Sequence, residues 1–473
     1  MSKDMISVPD PSLEQLSRIY SGKLLLRNEI LLEDNLLRQL LHEKQFRPIK
    51  SIVKKNFTRQ CQRCGNQKAS LFATIPCFLC KQTHFYCRKC IEMGRVLECE
   101  PLYVWSGDKT KWPQQENPCS WRGELTPAQQ QAANQMVMAV VNHDKELLIW
   151  AVCGAGKTEM LFPGINQALQ LGKRVCIATP RADVVRELFP RLVSAFESVP
   201  IQALYGGSNT EEAAAQLIIA TTHQLLRFQE AFDVVIIDEI DAFPFHADPS
   251  LLFAAERSKV PQSTMIYLTA TPRKVHRKRI SRKKLPHVFI PVRYHGHPLP
   301  VPKIKMCFSL KRELLHNKPP RPFIQWVRQR NNPERQLLIF VPTIVIAEKL
   351  KSPLACMFNK EGIIDAEESL TSVHAADENR EEKVQQFRRK EFRVLLTTTI
   401  LERGVTFPSV DVAILDAGHP VFDEAALVQI AGRAGRSVDD PTGEVMFFHD
   451  GRSEAMDRAI TSIKLMNRRG GFS

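Results

Sequence analysis

Short apolar runs alternate with longer segments of helical spacing between residues 147 and 272. The runs, each of five or six residues, cover 147–152, 174–179, 217–221, 233–238 and 264–269. Strands that are buried on both faces of a parallel sheet are continuously apolar, and helical crossovers connect them. The pattern therefore predicts βαβ units around a parallel sheet, which binds ligands at the carboxyl ends of its strands.

The same alternation returns after residue 322. Its apolar runs cover 337–341, 393–397, 410–415 and 444–448. They predict a second α/β unit in tandem with the first. The proline-rich segment between the two units predicts an extended, semi-rigid linker over residues 291–321.

The N-terminal part of the chain has a different pattern. Leucines recur at helical spacing over residues 12–43 and predict one or two amphipathic helices of a packing or docking arm. A basic stretch from Lys44 to Arg59 follows, for which a solvated linker and a DNA contact are both open.

The whole chain of 473 residues is basic, with a formal net charge of +14. A polyanionic partner is expected, nucleic acid first and an acidic membrane surface second, and a merely solvated basic surface is the alternative. Residues 1–10 lack the regions of a signal peptide, and no apolar run approaches the roughly 18 residues that span a bilayer. We therefore expect a cytosolic protein without stable membrane insertion.

The segment 147–162 predicts a strand, a glycine turn and a helix beginning near Lys157. Gly154 and Gly156 leave room for backbone N–H groups to close on a triphosphate, Lys157 can reach its β/γ-phosphates, and the Thr158 hydroxyl can bind Mg²⁺. The consecutive candidate residues are Ala151, Val152, Cys153, Gly154, Ala155, Gly156, Lys157 and Thr158. With Ala151 at the first position the generic phosphate-loop motif is matched incompletely, and the pattern resembles motif I of superfamily 2 helicases. A chance glycine turn is the alternative.

Two carboxylates follow another apolar run. Asp238 suits the magnesium ion of a bound nucleotide, and Glu239 suits the attacking water of a hydrolysis reaction. A helix N-cap cluster is the alternative.

Upstream, Gln129 follows Thr126 and Pro127 at a predicted helix start and is a candidate for recognising adenine, because an amide both donates and accepts hydrogen bonds.

The second α/β unit contributes arginines. Arg433 and Arg436 lie three residues apart, on one face of a predicted helix, and guanidinium groups suit γ-phosphate oxygens. We interpret both as arginine fingers and Gly404 as a nucleotide contact, although the helix alone would also fit a plain surface helix. ATP hydrolysis with Mg²⁺ is then expected only when the two units close on each other.

Further polar residues follow predicted strands and suit nucleic-acid phosphates, with simple capping as the alternative. These candidate DNA-binding residues are Pro180, Arg181, Thr222, His223 and Thr398. The run from Arg273 to Lys284, with eight basic residues in twelve, is a further candidate, and its alternative is a solvated face.

Eight of the twelve cysteines fall between Cys61 and Cys119, which in a reducing compartment favours metal binding over disulfides. Cys61 and Cys64, followed by Gly65, have the spacing of a zinc knuckle and need a second pair. Spacing leaves two pairs open, Cys77/Cys80 and Cys87/Cys90, with His84 and Cys99 as additional candidates. A redox dithiol is the alternative.

Four stretches are specific enough to indicate a family. They are L-I-W-A-V-C-G-A-G-K-T-E-M-L-F-P at 148–163, D-E-I-D-A-F-P at 238–244, T-T-T-I-L-E-R-G-V-T at 397–406 and Q-I-A-G-R-A-G-R at 429–436. Together they resemble the late competence protein ComFA family, whose motor is similar to the primosomal helicase. The resemblance extends from about residue 20 to 465.

The resemblance implies an architecture with two RecA-like domains in tandem and an N-terminal zinc-binding module. The expected parts are an arm at 1–60, the zinc module at 61–123, domain 1 at 124–290, the linker at 291–321 and domain 2 at 322–473. The family's zinc pattern maps onto Cys61, Cys64, Cys87 and Cys90, so Cys77 and Cys80 are either a second partial site or idle thiols.

The resemblance also implies a function. It predicts an ATPase that drives single-stranded DNA through the uptake channel during natural transformation, with channel and cytosolic competence proteins as partners. Peripheral contact with the inner face of the membrane and a homo-oligomer are left open. Two other hypotheses are a nucleotide-switched DNA-binding scaffold and a replication-restart helicase.

Overall fold

The computed structural model describes residues 11–55, 58–208 and 214–472. It consists of an N-terminal module followed by two α/β domains, each built on a parallel sheet. The predicted fold class of two RecA-like domains is confirmed.

In its described residues the N-terminal module contains two α-helices, three short 3₁₀ helices and three small antiparallel sheets, with strand orders β1-β8-β2, β3-β4 and β5-β6-β7. Its elements are α1 (Leu13–Tyr20), β1 (Leu24–Leu25), α2 (Asp34–His42), β2 (Phe46–Ile49), β3 (Ile52–Lys55), β4 (Thr58–Cys61), β5 (Phe72–Pro76), β6 (Thr83–Cys87), β7 (Val96–Leu97) and β8 (Leu102–Trp105). The leucine-rich region folds into α1 and α2, whose apolar faces pack with Phe46 and Trp105. The basic stretch from Lys44 to Arg59 includes strands β2 and β3 and the start of β4, so it is not a plain linker.

The first domain is a seven-stranded parallel sheet in the order β11-β12-β10-β13-β14-β9-β15. Its elements are α3 (Pro127–Asn142), β9 (Glu146–Ala151), α4 (Phe162–Gln170), β10 (Val175–Thr179), α5 (Ala182–Ala195), β11 (Ile201–Leu204), β12 (Leu217–Thr221), β13 (Phe232–Ile237), α6 (Pro249–Ser258), β14 (Lys259–Thr269), α7 (Lys274–Ser281) and β15 (His287–Ile290). Every side chain of β10 and β12 is buried, as expected for central strands that are covered on both faces.

The second domain is a six-stranded parallel sheet in the order β16-β21-β20-β17-β19-β18. Its elements are β16 (Lys303–Met306), α8 (Leu310–Leu315), α9 (Arg321–Arg328), β17 (Gln336–Phe340), α10 (Ile344–Lys360), β18 (Leu370–Val373), α11 (Arg380–Arg388), β19 (Val394–Thr397), β20 (Val410–Leu415), α12 (Glu424–Ala431), β21 (Val445–His449) and α13 (Glu454–Arg469). One apolar cluster includes buried residues of both domains, among them Val152 and Val428.

The segment predicted as a linker, 291–321, is partly folded. Strand β16 pairs in parallel with β21 at the edge of the second sheet, and α8 packs Leu310 and Leu314 into the core of the second domain. The extended linker is therefore shorter than predicted. Lys303 and Lys305 alternate with Ile304 in β16, so this edge strand lacks a continuous apolar run.

Candidate functional site

A cavity of about 500 Å³ lies between the two domains. The first domain lines it with the glycine turn and Glu239, and the second domain lines it with Gly404, Arg433 and Arg436. Lys157 and Thr158 also face this cavity, so the phosphate-loop candidates and both finger candidates border one space.

The glycine turn connects β9 to α4. Gly154 and Gly156 have φ angles of +80° and +70°, in the left-handed region that favours glycine. The α-helix predicted from Lys157 begins later, because a 3₁₀ turn at Glu159–Leu161 precedes α4 at Phe162. Pro163 explains the difference, since proline lacks an N–H group and is tolerated only in the first turn of an α-helix.

Gln129 holds the glycine turn in place. Its side-chain Nε2 donates to the carbonyl oxygens of Ala155 at 2.8 Å and Gly156 at 3.3 Å, and its Oε1 accepts from the Thr126 N–H at 2.8 Å. The Thr126 hydroxyl in turn accepts from the Gln129 N–H, which completes a capping box at the start of α3. Both ends of the amide are therefore engaged with protein groups, and recognition of adenine by Gln129 stays a prediction.

Asp238 and Glu239 lie at the carboxyl end of β13. Burial and the adjacent charge of Glu239 raise the pKa of Asp238 to about 6, against the opposing charge of Lys157. Glu239 has a φ of +56°, an unfavourable conformation for a side chain with a Cβ, and its carboxylate borders the cavity. Asp238 and Thr158 offer the hard oxygen ligands that Mg²⁺ prefers, and the charge of Lys157 acts on Asp238, which places this carboxylate near the glycine turn.

The prediction that Arg433 and Arg436 lie on a helix is wrong, because α12 ends at Ala431. Both arginines follow it in a turn that the glycines Gly432 and Gly435 permit. Arg433 is fully buried, and Arg436 is partly exposed. The Arg433 Nε donates to the Glu402 carbonyl oxygen at 3.1 Å, and the Arg436 Nε donates to the Gly432 carbonyl oxygen at 2.9 Å. Burial and the nearby charge of Arg436 hold the pKa of Arg433 well below its usual range. Both guanidinium groups border the cavity, so an anion entering it would offset this desolvation.

A buried ion pair that the sequence did not single out joins the two domains. Arg403 Nη2 donates to Asp241 Oδ2 at 2.6 Å, and Asp241 also accepts from the hydroxyls of Thr269 at 2.5 Å and Thr271 at 2.6 Å. Burial opposes ionisation of Asp241, but Arg403 and the two hydroxyls hold its pKa below the usual range. Arg403 also lies 3.6 Å from the Glu239 carboxylate, so the pair adjoins the candidate site.

Arg293 is a second residue that the sequence did not single out. Its side chain is buried and donates to the carbonyl oxygens of Ala434 at 2.8 Å and Gly432 at 3.2 Å, and also to that of Gly435. The same side chain lies against the glycine turn, where a Cβ at Gly154 would be 3.6 Å from it. Arg293 therefore positions the finger segment against the first domain.

The candidate DNA-binding residues follow β10, β12 and β19, and several are not open to solvent. Arg181 crosses to the second domain, where it donates to the Ile400 carbonyl oxygen at 2.8 Å and to Glu402 at 3.2 Å. The remaining candidates Pro180, Thr222 and Thr398 are buried, and His223 is half-buried. In this domain arrangement Arg181 serves the domain interface, and DNA contact by these five residues stays a prediction.

The basic run from Arg273 to Lys284 forms α7 and its flanks. Arg273 pairs with Asp423 at 3.2 Å and Arg277 with Glu424 at 2.8 Å, both at the start of α12 in the second domain. Part of this charge is therefore committed to the domain interface rather than to a free face.

Four cysteines of the N-terminal module converge on one point. Cys61, Cys64, Cys87 and Cys90 are buried with their sulfur atoms within 4.8 Å of one another. The distance is 3.8 Å from Cys61 Sγ to Cys90 Sγ and 3.6 Å from Cys64 Sγ to Cys87 Sγ. A tetrahedral ion with metal–sulfur bonds of about 2.3 Å has sulfur–sulfur edges of about 3.8 Å, so this set fits a metal ion. Of the two pairs left open by spacing, Cys87/Cys90 completes the knuckle of Cys61 and Cys64.

Family models match three parts of the chain. Residues 10–104 match the competence protein ComFA N-terminal domain, residues 122–274 match the type III restriction enzyme res subunit, and residues 320–438 match the helicase conserved C-terminal domain.

Curated relatives decide the family. The competence protein ComFA of Bacillus subtilis is 43% identical over 455 residues, covering 96% of this chain and 95% of the relative. The competence protein ComFA of Streptococcus pneumoniae is 36% identical over 457 residues, covering 96% and 99%. The chain belongs to the ComFA family.

Solved structures of helicases share the fold of this ComFA-family chain. S. cerevisiae Dbp5 bound to RNA and ADP BeF3 has a TM-score of 0.51 at 15% identity, covering 72% of this chain and 91% of Dbp5. Mycobacterium smegmatis helicase Lhr bound to ssDNA and AMP-PNP has a TM-score of 0.52 at 17% identity, covering 74% and 49%. With the family models, this establishes an ATPase of the superfamily 2 helicase type. Within the described ranges, no helix is both long and apolar enough to cross a bilayer.

Proposed function

We propose that this ComFA-family protein is an ATP-driven motor that moves along single-stranded DNA and drives its import during natural competence. The observation that carries the proposal is the cavity in which Lys157 and Glu239 of one domain meet Arg433 and Arg436 of the other. A site divided in this way couples the state of the nucleotide to the distance between two domains.

The proposed roles follow from the chemistry of the side chains. Lys157 neutralises the β/γ-phosphates of ATP, and Thr158 and Asp238 would hold Mg²⁺, which would supply charge stabilisation at the leaving phosphate. Glu239 orients the attacking water, and Arg433 and Arg436 stabilise charge that develops on the transferred phosphoryl group.

Movement would come from the contacts that join the two domains. Asp241 pairs with Arg403 of the second domain and also accepts hydrogen bonds from Thr269 and Thr271 at the carboxyl end of β14. When the two domains close on ATP, this pair therefore connects the second domain to the end of that strand. Arg181 binds Glu402 across the same interface. If these pairs open after hydrolysis, Arg181 becomes free to bind a phosphate of the DNA backbone. ATP turnover would then change the affinity of the protein for single-stranded DNA.

The DNA substrate is supported by three features of different kinds. The chain carries a net charge of +14, relatives with 43% and 36% identity are named competence proteins, and Lhr, which shares the fold, was solved with ssDNA. We propose that the protein acts on the cytosolic side of the membrane, with the DNA-uptake channel and cytosolic competence proteins as partners.

We also propose that Cys61, Cys64, Cys87 and Cys90 hold a structural zinc ion. Gly65 sits against the Phe253 ring of α6, so an ordered knuckle would dock the module on the first domain.

Lys157→Ala tests the motor, and Lys145→Ala, an exposed lysine in the turn before β9, is its matched control. We expect Lys157→Ala to abolish ATPase activity, displacement of streptavidin from biotinylated single-stranded DNA, and transformation, and Lys145→Ala to change none of them. ATPase stimulation should be greater with single-stranded DNA than with duplex.

The competing hypotheses give different outcomes. A Lys157→Ala strain that transforms normally without turnover would refute the motor and favour a nucleotide-switched scaffold. A replication-restart helicase would instead show impaired growth and repair in the Lys157→Ala strain, whereas an import motor leaves both unchanged.

A further inference from the structure

A second cluster of metal-binding side chains lies at the exposed end of the N-terminal module. The sulfur atoms of Cys77, Cys80 and Cys99 are within 4.8 Å of one another. His84 adjoins one of these three cysteines, with its Nε2 atom 3.0 Å from Cys80 Sγ. Three thiols and one imidazole are the ligand number and type of a structural zinc site.

The turn that carries Cys77 and Cys80 repeats the knuckle of the first cluster bond for bond. In the first, the Gly65 N–H donates to the Cys61 carbonyl oxygen at 2.9 Å and the Cys61 N–H donates to the Asn66 carbonyl oxygen at 3.0 Å. In the second, the Lys81 N–H donates to the Cys77 carbonyl oxygen at 2.9 Å and the Cys77 N–H donates to the Gln82 carbonyl oxygen at 2.8 Å.

The residue after the second cysteine of each turn has a positive φ, +71° at Gly65 and +56° at Lys81. A lysine in this left-handed conformation is strained, so the second turn needs a compensating interaction. Core packing does not supply it, because Phe78 and Leu79 inside the turn are 95% and 83% exposed.

The third cysteine is brought to the turn by a different segment. Strand β7 pairs with β6, and beyond it the Glu98 N–H donates to the Phe85 carbonyl oxygen at 2.8 Å while the Phe85 N–H donates to Glu98 Oε2 at 3.2 Å. These two bonds place Cys99 next to Cys77 across the hairpin. His84 lies on β6, so the four side chains come from three separate positions that fold together.

We propose that this protein holds a second zinc ion, bound by Cys77, Cys80, Cys99 and His84. Cys80 and Cys99 are exposed, whereas all four cysteines of the first cluster are buried. The second ion is therefore the more accessible of the two. It fixes the hairpin loop between β5 and β6, which otherwise lacks a core.

The test is the zinc content of the full chain, purified under reducing conditions from zinc-supplemented cells. We expect two zinc ions per chain, and one in Cys77→Ser/Cys80→Ser and in Cys99→Ser. Cys119→Ser/Cys356→Ser, which removes two partly exposed cysteines outside both clusters, should keep two. Wild-type protein with one ion, or a Cys77→Ser/Cys80→Ser variant that loses none, would overturn the proposal.

X-ray absorption at the zinc edge and chelator competition test the ligands independently of stoichiometry. Wild-type protein should show seven sulfur ligands and one nitrogen ligand shared between its two ions, with zinc–sulfur distances of about 2.3 Å. His84→Ala should remove the nitrogen ligand and release one ion faster to a chromogenic chelator, while the buried ion is released at an unchanged rate. Unchanged nitrogen scattering and release in His84→Ala would overturn the assignment of His84.

The proposals of the two zinc sites can be refuted independently of each other. Loss of one ion in Cys61→Ser/Cys64→Ser alone, with none lost in the Cys77 and Cys99 variants, refutes the second site and leaves the first intact. ATPase activity of the Cys77→Ser/Cys80→Ser variant should stay at the wild-type level, because the loop lies outside the cavity between the domains. The proposed motor is therefore judged by Lys157→Ala and the second zinc by metal content.

Discussion

The two α/β domains are built alike but contribute opposite chemistry. Both are parallel sheets with ligand-facing carboxyl ends, yet the glycine turn and the carboxylates Glu239 and Asp241 belong to the first, whereas Arg403, Arg433 and Arg436 belong to the second. Because neither domain contains all of the proposed site residues, the contact between the domains is itself part of the proposed active site.

The buried arginines of the second domain also differ from one another. Arg403 is paired with Asp241 across the interface, so its charge is satisfied within the protein. Arg433 is bound by a carbonyl oxygen of its own domain and borders the cavity, so its charge is directed at a ligand. We infer that Arg403 joins the domains and that Arg433 acts on the nucleotide.

The largest effect that would separate these roles is expected from Arg433→Ala. It should lower the kcat of ATP hydrolysis by about 10³-fold, the range for arginine fingers, because charge on the transferred phosphoryl group loses its counterion. Affinity for ATP should change by only a few-fold. Steady-state ATPase assays with saturating single-stranded DNA measure both quantities.

The control for Arg433→Ala is Arg458→Ala, which removes an exposed arginine that pairs with Glu454 on α13 of the same domain. It should leave kcat unchanged. A kcat for Arg433→Ala within threefold of wild type, in protein with an unchanged melting temperature, would show that this arginine is structural.

Arg403→Met should mainly affect stability. It leaves the Asp241 carboxylate buried without its cation, which costs about 3–5 kcal/mol of unfolding free energy. Arg186→Met is the matched control, since Arg186 also pairs across the domains with Glu381, but both partners are partly exposed and the loss should be about 0–1 kcal/mol. Denaturant unfolding of the full chain measures both, and equal losses would contradict the distinction.

The pH dependence of Arg403→Met should differ in sign from that of the wild type. In the wild type the pKa of Asp241 is depressed, so its contribution to stability is present above about pH 4 and is lost as pH falls further. Without Arg403, burial raises that pKa, and the variant should regain stability as pH falls from 7 to 5. In the variant Glu402 acts in the same direction, because burial raises its pKa and the opposing charge of Arg403 is gone.

Sequence reasoning succeeded for the centre of each sheet and failed at its edges. In the two parallel sheets all nine predicted apolar runs are interior strands, and the four described strands that were missed are edge strands, namely β11, β15, β16 and β18. The short strands of the N-terminal module were not predicted. An interior strand is covered on both faces and paired on both sides, so its sequence is a continuous apolar run. An edge strand such as Lys303–Met306 is half-polar, and this pattern also fits a loop.

The residues of the candidate site also fall into two groups, those that the sequence predicts and those that only the fold brings together. Lys157, Asp238 and Glu239 belong to local motifs, whose chemistry can be predicted from a few neighbouring residues. Asp241 and Arg403 are 162 positions apart, and no local pattern connects them. Arg293 carries no motif at all, and its role depends on carbonyl oxygens that only the folded backbone brings together.

The smallest expected effect comes from Gln129→Ala, which changes contacts within the first domain only. Gln129→Ala removes two hydrogen bonds to the glycine turn and one to the Thr126 N–H. The one or two hydrogen bonds to the glycine turn contribute about 1 kcal/mol each. Their loss should raise the KM for ATP about tenfold, with little change in kcat. Gln130→Ala, an exposed neighbour that bonds Asn134 on the same helix, should have no effect.

The comparison of ATP with GTP distinguishes two roles for Gln129. If its amide recognises adenine, Gln129→Ala should weaken ATP and leave GTP nearly unaffected. Because its Nε2 and Oε1 are both bound to the protein, we expect the KM values of the two nucleotides to rise by the same factor. Loss of selectivity for ATP over GTP would show instead that the amide leaves the glycine turn when nucleotide binds, so that the first domain rearranges before the second domain closes on it.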